Sequence, residues 1–461
     1  MYGDGQTIQM QSIICKIILI FILQSVGANC SNAFFFEYTM KRSFLFSILF
    51  LSTLLSHAGV RSLYEPTALS PNQFVIADPC KIDSIPLTVM IVPQYMLPLY
   101  YGYETEENRT LYFSPHTTTF VRDAEYFLPY TKGYTALGFI FEPSFLYKIN
   151  EKASIRAGIH LMAFAGDHKT IRNISPILSL TFQPVRWLTL TGGTLGSGIY
   201  HDLYEPMYDY DRFFYDNQEM GLSARTNTKY WDSDMWCNWE DFIIPGSDFQ
   251  ERFTFGWRND FHAPKIAHKV PINIPFHLMM NHRGGQIDAV EDTCIETLMN
   301  IATGINADIT IKNKIIITPD IPFFFFSNRS NEEHIHTHYQ NGYGIYPQVC
   351  VQNTGIKHHW KVNAGYWYGN KFISGRGSYL FQSRSYFDEA FERQYRHLIT
   401  GKVSYIYHYK KFSFGGEFQL YYDTDEASTD ISAGIYMRFE QLFKIHTFKE
   451  NEKEKIGFLG L

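Results

Sequence analysis

Residues 402–409 read Lys-Val-Ser-Tyr-Ile-Tyr-His-Tyr, and apolar and polar side chains largely alternate along this stretch. The odd positions from Val403 to Tyr409 are apolar or aromatic, whereas Lys402, Ser404 and His408 lie between them. Successive side chains of a strand point to opposite faces, so this stretch predicts a strand with one apolar and one polar face. A wall built of such strands suits a barrel with lipid outside and water inside.

The same pattern recurs along most of the chain. Residues 412–422 and 431–439 continue the alternation, and similar stretches extend back to Leu87, which is expected to open the barrel. Short turns and long loops alternate between these stretches, as expected if each kind lies at its own end of a barrel. The sequence therefore predicts an all-β fold, a transmembrane antiparallel β-barrel of about 14 strands within a range of about 12–16.

Composition agrees with a membrane location. Aromatic residues make up 17% of the 461 residues, including 32 Tyr and 39 Phe, and barrels place such residues in girdles at both membrane interfaces. The formal net charge is -6, and nothing in the charge pattern indicates a nucleic-acid partner.

The N-terminal region carries an export signal. Met40, Lys41 and Arg42 precede an apolar stretch over residues 43–55, and small residues around Ala58 follow it. This order predicts a signal peptide over residues 40–58. Residues 1–39 contain a second apolar run and are interpreted as an over-extended N-terminus, because two export signals in series have no physical use. A lipidated Cys30 is the alternative.

The export signal, the amphipathic strands and a last strand that ends at the aromatic Phe439 together resemble Gram-negative outer-membrane β-barrel proteins of the porin-like kind. The resemblance implies a location in the cell outer membrane, with short periplasmic turns and long extracellular loops. It also implies a periplasmic N-terminal segment (59–86), the barrel (87–439) and a periplasmic C-terminal tail (440–461). Outer-membrane lipid and the barrel assembly machinery are the partners that it implies.

The segment 197–250 is predicted to be a very long outer loop, rich in aromatic and acidic residues. Flat aromatic faces beside carboxylates suit sugar rings, so this loop is a candidate ligand platform. Its alternative role is a plug or lid that packs against the barrel wall. The candidate ligand-binding residues are Tyr208, Tyr210, Tyr230, Trp231, Trp236 and Trp239.

Two further sets of polar residues are candidates. Arg252, Arg258 and Lys361 lie on or near polar faces and are predicted to contribute to lumen charge, as basic residues in any wet lumen would. His334, His336 and His338 would share one face of an extended backbone, and neutral imidazoles suit zinc, copper or iron. A solvated polar loop is the alternative for these histidines. No cofactor is expected.

Three functions fit this pattern. The favoured one is a porin-like channel for diffusion or uptake of small polar solutes or saccharides, and a closed surface-exposed binding or adhesion barrel is the alternative. A lipid-modifying outer-membrane enzyme ranks third, because no Gly-x-Ser-x-Gly motif is present. Triads can be assembled across strands, so that absence is weak support. The sequence thus predicts a non-enzymatic protein without catalytic residues.

Overall fold

The computed structural model describes residues 107–449, apart from 217, 267–269, 285–294, 313, 331–338, 356 and 389–390, together with three short strands that precede them. The chain divides into two compact units, residues 1–67 and 68–461, and all described residues belong to the second. The interpreted N-terminus (1–39), the signal peptide (40–58) and His334, His336 and His338 lie outside the described residues.

The three short strands form an antiparallel sheet of their own. They are β1 (Gln73–Ile76), β2 (Leu87–Met90) and β3 (Leu99–Tyr103), in the order β1-β2-β3. The sequence predicted that Leu87 begins the first barrel strand, but β2 pairs with β1 and β3 instead.

The remaining strands form a closed antiparallel barrel, which confirms the predicted fold class. In chain order they are β4 (Thr110–Glu125), β5 (Tyr134–Asn150), β6 (Ala153–Phe164), β7 (Asn173–Val185), β8 (Leu188–Gly196), β9 (Glu219–Asn227), β10 (Trp231–Asp241), β11 (Arg252–Ile266), β12 (Val270–Arg283), β13 (Glu296–Ala307), β14 (Ile309–Ile311), β15 (Ile315–Asn328), β16 (Asn341–Ile345), β17 (Gln348–Asn353), β18 (His358–Asn370), β19 (Tyr395–Tyr409), β20 (Phe412–Asp423), β21 (Ser428–Phe439) and β22 (Phe443–Thr447).

The barrel has sixteen strands, because β13 with β14, β16 with β17 and β21 with β22 each form one interrupted strand. The predicted count of about 14 is therefore slightly low. Strand β4 was missed because its lipid-facing positions include Pro115, Thr117 and Thr119, which weaken the apolar alternation. Strands β9 and β10 form a hairpin inside the segment 197–250, so this segment is not one continuous loop.

The register confirms the two-sided walls. On β19, Val403 and Tyr405 are each 47% exposed on the outer face, whereas Lys402 and Ser404 are buried on the lumen face. Phe439 ends β21, but the chain continues as β22, which pairs with β4. The first part of the predicted periplasmic tail thus belongs to the barrel wall.

The connections sort by length. Those at one end are short, such as 151–152, 186–187 and 410–411, whereas those at the other end include 197–218 and 371–394. We call the second end the loop end. No helix in the described part of the chain is long and apolar enough to cross a membrane.

Candidate functional site

Two segments from the loop end fold into the barrel, and we call them together the plug: residues 197–216 and 371–388. The first contains a 3₁₀ turn at Gly198–His201 and a helical turn at Arg212–Tyr215. Three of its carboxylates reach bases on well-separated wall strands, so the segment crosses the lumen. The pairs are Asp202 with Arg258 on β11 (3.5 Å), Glu205 with Lys402 on β19, and Asp211 with Arg122 on β4 (2.7 Å).

The two plug segments are bonded to each other. The Asp209 amide donates to the Arg376 carbonyl at 2.7 Å, and the Ser378 amide donates to the Glu205 carbonyl at 3.1 Å. A Cβ atom at Gly377 would collide with the Pro206 carbonyl, so the close approach of the segments requires glycine there.

Apolar packing anchors the plug to the wall. Its buried side chains form one cluster with lumen-facing aromatics of the strands. Phe214 packs on Phe120 of β4, with ring centroids 4.6 Å apart, and Phe372 packs on Trp367 of β18 at 5.1 Å. The alternative of a plug packed against the wall thus describes the first part of the segment 197–250.

The six aromatic residues predicted to bind a ligand do not share one surface. Tyr208 and Tyr210 are buried in the plug, where their hydroxyls donate to Glu219 (3.2 Å) and the Leu203 carbonyl (2.8 Å). Trp236 is buried on the lumen side of β10.

The other three aromatic residues lie elsewhere. Tyr230 is 55% exposed at a short turn. The indole N–H of Trp231 donates to Asn259 on the neighbouring strand β11, and that of Trp239 donates to Glu251, the residue before β11. Their role in binding stays a prediction.

The predicted lumen charges differ in their surroundings. Lys361 is 1% exposed on β18, and Arg258 contacts both Asp260 and Asp202 in the lumen. Arg252 lies at the start of β11, half-exposed, and pairs with Asp241. Their influence on a passing solute stays a prediction.

His201 is held between two acids at the start of the plug. Its Nδ1 bonds Asp234 at 2.8 Å, its Nε2 bonds Glu219 at 3.0 Å, and its ring stacks on Trp236 with centroids 3.6 Å apart. Burial opposes the charge, but the two carboxylates outweigh burial and raise the pKa of His201. Both ring nitrogens are hydrogen-bonded to wall strands, so this histidine holds the start of the plug in place. It has no free nitrogen that could accept a proton from a substrate.

A different histidine has a free nitrogen. Glu142 on β5, His160 on β6 and Ser175 on β7 form a row across three neighbouring strands on the lumen face. His160 Nδ1 bonds Glu142 Oε1 at 2.8 Å, and His160 is paired directly with Ser175 in the β6–β7 register. Residues so paired have Cβ atoms about 4.5–5.5 Å apart on the same face.

The reactive atoms of this row are unengaged. His160 Nε2 and Ser175 Oγ are both shielded from solvent and have no hydrogen-bond partner among the described residues. The order of carboxylate, imidazole and hydroxyl is that of hydrolase triads, which are recognised by geometry and not by sequence position. Ser175 is the third residue of β7 and therefore lies near the loop end.

Glu142 is hydrogen-bonded to three side chains. Besides His160 it accepts hydrogen bonds from His116 Nδ1 and Gln218 Nε2, each at 2.6 Å. Gln218 lies two residues after the first plug segment, so one side chain links Glu142 to the end of this segment. His116 Nε2 in turn contacts Glu440 at 3.2 Å.

The row was missed in the sequence because its members lie 18 and 15 residues apart on three strands, without a local motif. The only available signal was a Glu, a His and a Ser on polar faces of consecutive strands, which becomes meaningful once the register is known. Among the described residues, no group of three or more His, Cys, Asp or Glu side chains is arranged to hold a metal ion.

Several known structures have a backbone similar to that of this chain. The chain is similar to a loop L8 deletion mutant of OmpT from Vibrio cholerae, with 9% identity, a TM-score of 0.44, and coverage of 72% of this chain and 99% of that chain. It is also similar to OprB of Pseudomonas putida, with 10% identity, a TM-score of 0.43, and coverage of 72% and 94%. An anion-selective porin from Comamonas acidovorans gives 7% identity, a TM-score of 0.41, and coverage of 72% and 98%. No curated protein matches the sequence.

The model of one protein family matches most of the sequence. Residues 103–448 match the family described as lipid A 3'-O-deacylase-type, and this range includes the whole barrel. The match supports the predicted outer-membrane location. The prediction that the chain is not an enzyme is wrong, because this is an enzyme family. With a closed sixteen-stranded barrel and this match over most of its length, the chain belongs to the lipid A 3'-O-deacylase-type family.

Proposed function

We propose that this outer-membrane barrel hydrolyses an acyl ester of lipid A, with Ser175 as nucleophile, His160 as general base and Glu142 as the acid that orients His160. The observation that carries the proposal is the row of these three side chains, with an unengaged Nε2 opposite an unengaged Oγ, in a member of a deacylase family.

The chemistry follows from the arrangement. His160 Nε2 takes the Ser175 hydroxyl proton while Oγ attacks the ester carbonyl carbon, and the protonated imidazole then gives that proton to the departing sugar oxygen. The acyl group is left on Ser175. A water molecule, deprotonated by His160, attacks this second ester, releases the fatty acid and restores the Ser175 hydroxyl. Glu142 keeps the proton on Nδ1 and stabilises the imidazolium in both steps.

The position of the row suits a lipid of the outer leaflet. Ser175 is near the loop end, which the predicted topology places at the cell surface. His160 is fully buried, however, and Gln218 next to the plug bonds Glu142. A substrate therefore reaches Nε2 only when side chains next to the row, including Gln218, move aside. We expect such a motion at the junction of plug and wall to precede catalysis.

Hydrolysis is tested with purified protein in detergent and lipid A, followed by mass spectrometry of the lipid. The wild type should remove one acyl chain, and H160Q should be at least about a hundredfold slower, since general base catalysis contributes that much. The matched control is H262Q, because His262 also bonds a carboxylate, that of Asp232 at 3.0 Å, but lies on β11 away from the row. Unmodified lipid A with the wild type would contradict the proposal.

A channel for small polar solutes or saccharides is the second candidate. Its support is the polar lumen wall, where Arg122, Lys361, Lys402 and Arg438 are all buried inside the barrel. The plug occupies part of this lumen, so solute passage would need the plug to move. Conductance in a planar bilayer tests this role separately from hydrolysis: steps that increase when residues 372–387 are replaced by a short linker would support it, and a sealed trace in both proteins would contradict it.

A further inference from the structure

A cavity of about 710 Å³ lies at the loop end of the barrel, away from the row of Glu142, His160 and Ser175. Its lining comes from strands β10 to β13 and from both plug segments. Five arginines line it: Arg212, Arg252, Arg283, Arg376 and Arg384. The mechanism proposed above uses none of them.

Two acidic side chains are among the described residues that line this cavity. Glu240 and Glu296 are the carboxylates in the lining, and Arg376 contacts Glu240. Arg376 also bonds Asp216 at 3.2 Å, and Arg212 shares that carboxylate. Among the described residues of the lining there are thus more arginines than carboxylates, in a chain whose formal net charge is -6.

Two of the arginines face each other. Arg252 at the start of β11 and Arg283 at the end of β12 are direct partners in the β11–β12 register. Like charges directly opposite on neighbouring strands are destabilising. Asp241 contacts Arg252, and Glu296 is the partner of Arg283 on the other neighbouring strand, so each base has one acid on its far side. A bound anion between the two guanidinium groups would relieve their remaining repulsion.

Aromatic rings border the same cavity. Tyr379, Tyr386 and Phe387 come from the second plug segment, and Tyr386 is 63% exposed. Exposed rings beside charged donors suit the apolar C–H faces of a sugar. Guanidinium groups match the geometry of phosphate oxygens and bind them with paired hydrogen bonds.

We propose that this cavity binds the phosphate monoester of a phosphorylated saccharide, with Arg252 and Arg283 contacting the phosphate and the plug aromatics contacting the sugar. The proposal does not depend on hydrolysis at Ser175. The phosphate can belong to a soluble sugar phosphate or to the headgroup of a lipid, since both present the same chemistry to the arginines.

Binding is measured by calorimetry on the full-length barrel in detergent. Glucose 1-phosphate is the soluble probe, and glucose is its uncharged control; lipid A micelles are the lipid probe, and dephosphorylated lipid A is their control. We expect the phosphorylated member of at least one pair to bind and its control to bind at least about tenfold more weakly, with affinity falling as salt rises. Binding confined to lipid A identifies a lipid headgroup as the source, whereas binding of glucose 1-phosphate identifies a site open to free phosphosugars.

The variant R252Q/R283Q should weaken phosphate binding at least tenfold, and R283Q alone should weaken it severalfold. The single variant provides the test if the double variant fails to fold. The matched control is R172Q, since Arg172 is another exposed arginine at the loop end and pairs with Asp167 at 3.5 Å. The proposal is overturned if neither phosphorylated probe binds the wild type, or if R283Q and R172Q bind as the wild type does.

Discussion

His160 on β6 lies directly opposite Ser175 on β7, and the Nε2 of one and the Oγ of the other have no hydrogen-bond partner among the described residues. Glu142 holds the far nitrogen of the same imidazole at 2.8 Å. Most buried polar side-chain atoms in proteins are hydrogen-bonded, so two facing unpartnered groups call for an explanation. A proton transfer between them during ester hydrolysis provides one.

An activated serine should react with a fluorophosphonate. We expect the wild-type protein to be labelled on Ser175, S175A to remain unlabelled and H160Q to be labelled at least about a hundredfold more slowly, because the base is missing. Peptide mass spectrometry locates the label. The control is S179A, since Ser179 lies on the same face of the same strand but donates to the Thr194 carbonyl at 2.5 Å. Labelling of S175A equal to that of the wild type would exclude Ser175 as the nucleophile.

The negative charge of Glu142 should be required for a fast rate of deacylation. E142Q keeps the size of the side chain but removes the carboxylate that fixes the Nδ1–H form of His160, so kcat for deacylation should fall by roughly a hundredfold to ten-thousandfold. E440Q is the comparison, because Glu440 contacts His116 and not His160. A rate for E142Q close to that for E440Q would mean that the acid has no part in catalysis.

How far the sequence predicts this molecule depends on which residues carry the signal. The strand β19 was predicted because Val403, Tyr405 and Tyr409 mark its lipid face without ambiguity. The hairpin of β9 and β10 was not, because Trp236 faces the lumen while Asp232, Asp234 and Glu240 make the strand resemble a polar loop. The lumen of such a barrel is normally lined by polar residues, but the plug packs apolar side chains inside it. The alternation of apolar and polar residues along the strands therefore could not predict the plug.

The row of Glu142, His160 and Ser175 could not be predicted from the sequence for a related reason. A row across β5, β6 and β7 depends on the register of two strand pairs, and a shift of one residue would turn Ser175 toward the lipid. Local patterns instead drew attention to Tyr208, Tyr230 and Trp239, which are rich in aromatic surface but lie apart in the fold.

The buried pair of Glu205 and Lys402 should hold the plug in place. K402M leaves the Glu205 carboxylate in the lumen without its base, although Tyr421 still donates to it at 2.6 Å. The free energy of unfolding should fall by about 3–5 kcal/mol, as expected when one partner of a buried pair is removed. Urea unfolding in detergent measures it.

The double variant E205Q/K402M should lose less stability than K402M, because no charge is left buried alone. R393Q breaks the more exposed pair of Arg393 and Glu426 and should change stability little. A K402M protein as stable as R393Q would show that this pair does not hold the plug.

The plug should also respond to pH through Asp209. Burial, together with the neighbouring Asp211 carboxylate, raises the pKa of Asp209 from 3.8 to about 7. Between these two values the unfolded chain is ionised and the folded chain is protonated, so the folded state binds more protons and this residue makes stability fall as pH rises from about 4 to about 7. Above that range its effect is constant.

D209N removes this titration. Its amide oxygen can still accept from the Asp211 amide, which now lies 3.1 Å from Oδ1, and its NH2 group can donate to the Tyr215 hydroxyl, which now donates to Oδ2 at 2.9 Å. We expect D209N to gain stability relative to the wild type between pH 4 and pH 7, with the full difference above pH 7, in urea unfolding measured at several pH values. A constant difference between the two proteins from pH 4 to pH 8 would contradict this assignment.

Deacylation that depends on Ser175 is measured in living cells of a Gram-negative host that produce the wild type, S175A or S179A in the outer membrane. Heat-modifiable migration on gels establishes that each variant is folded, and mass spectrometry then compares the lipid A of the three strains. We expect lipid A that has lost one acyl chain with the wild type and S179A, and unaltered lipid A with S175A. Unaltered lipid A in all three strains, or equal deacylation by S175A, would contradict it.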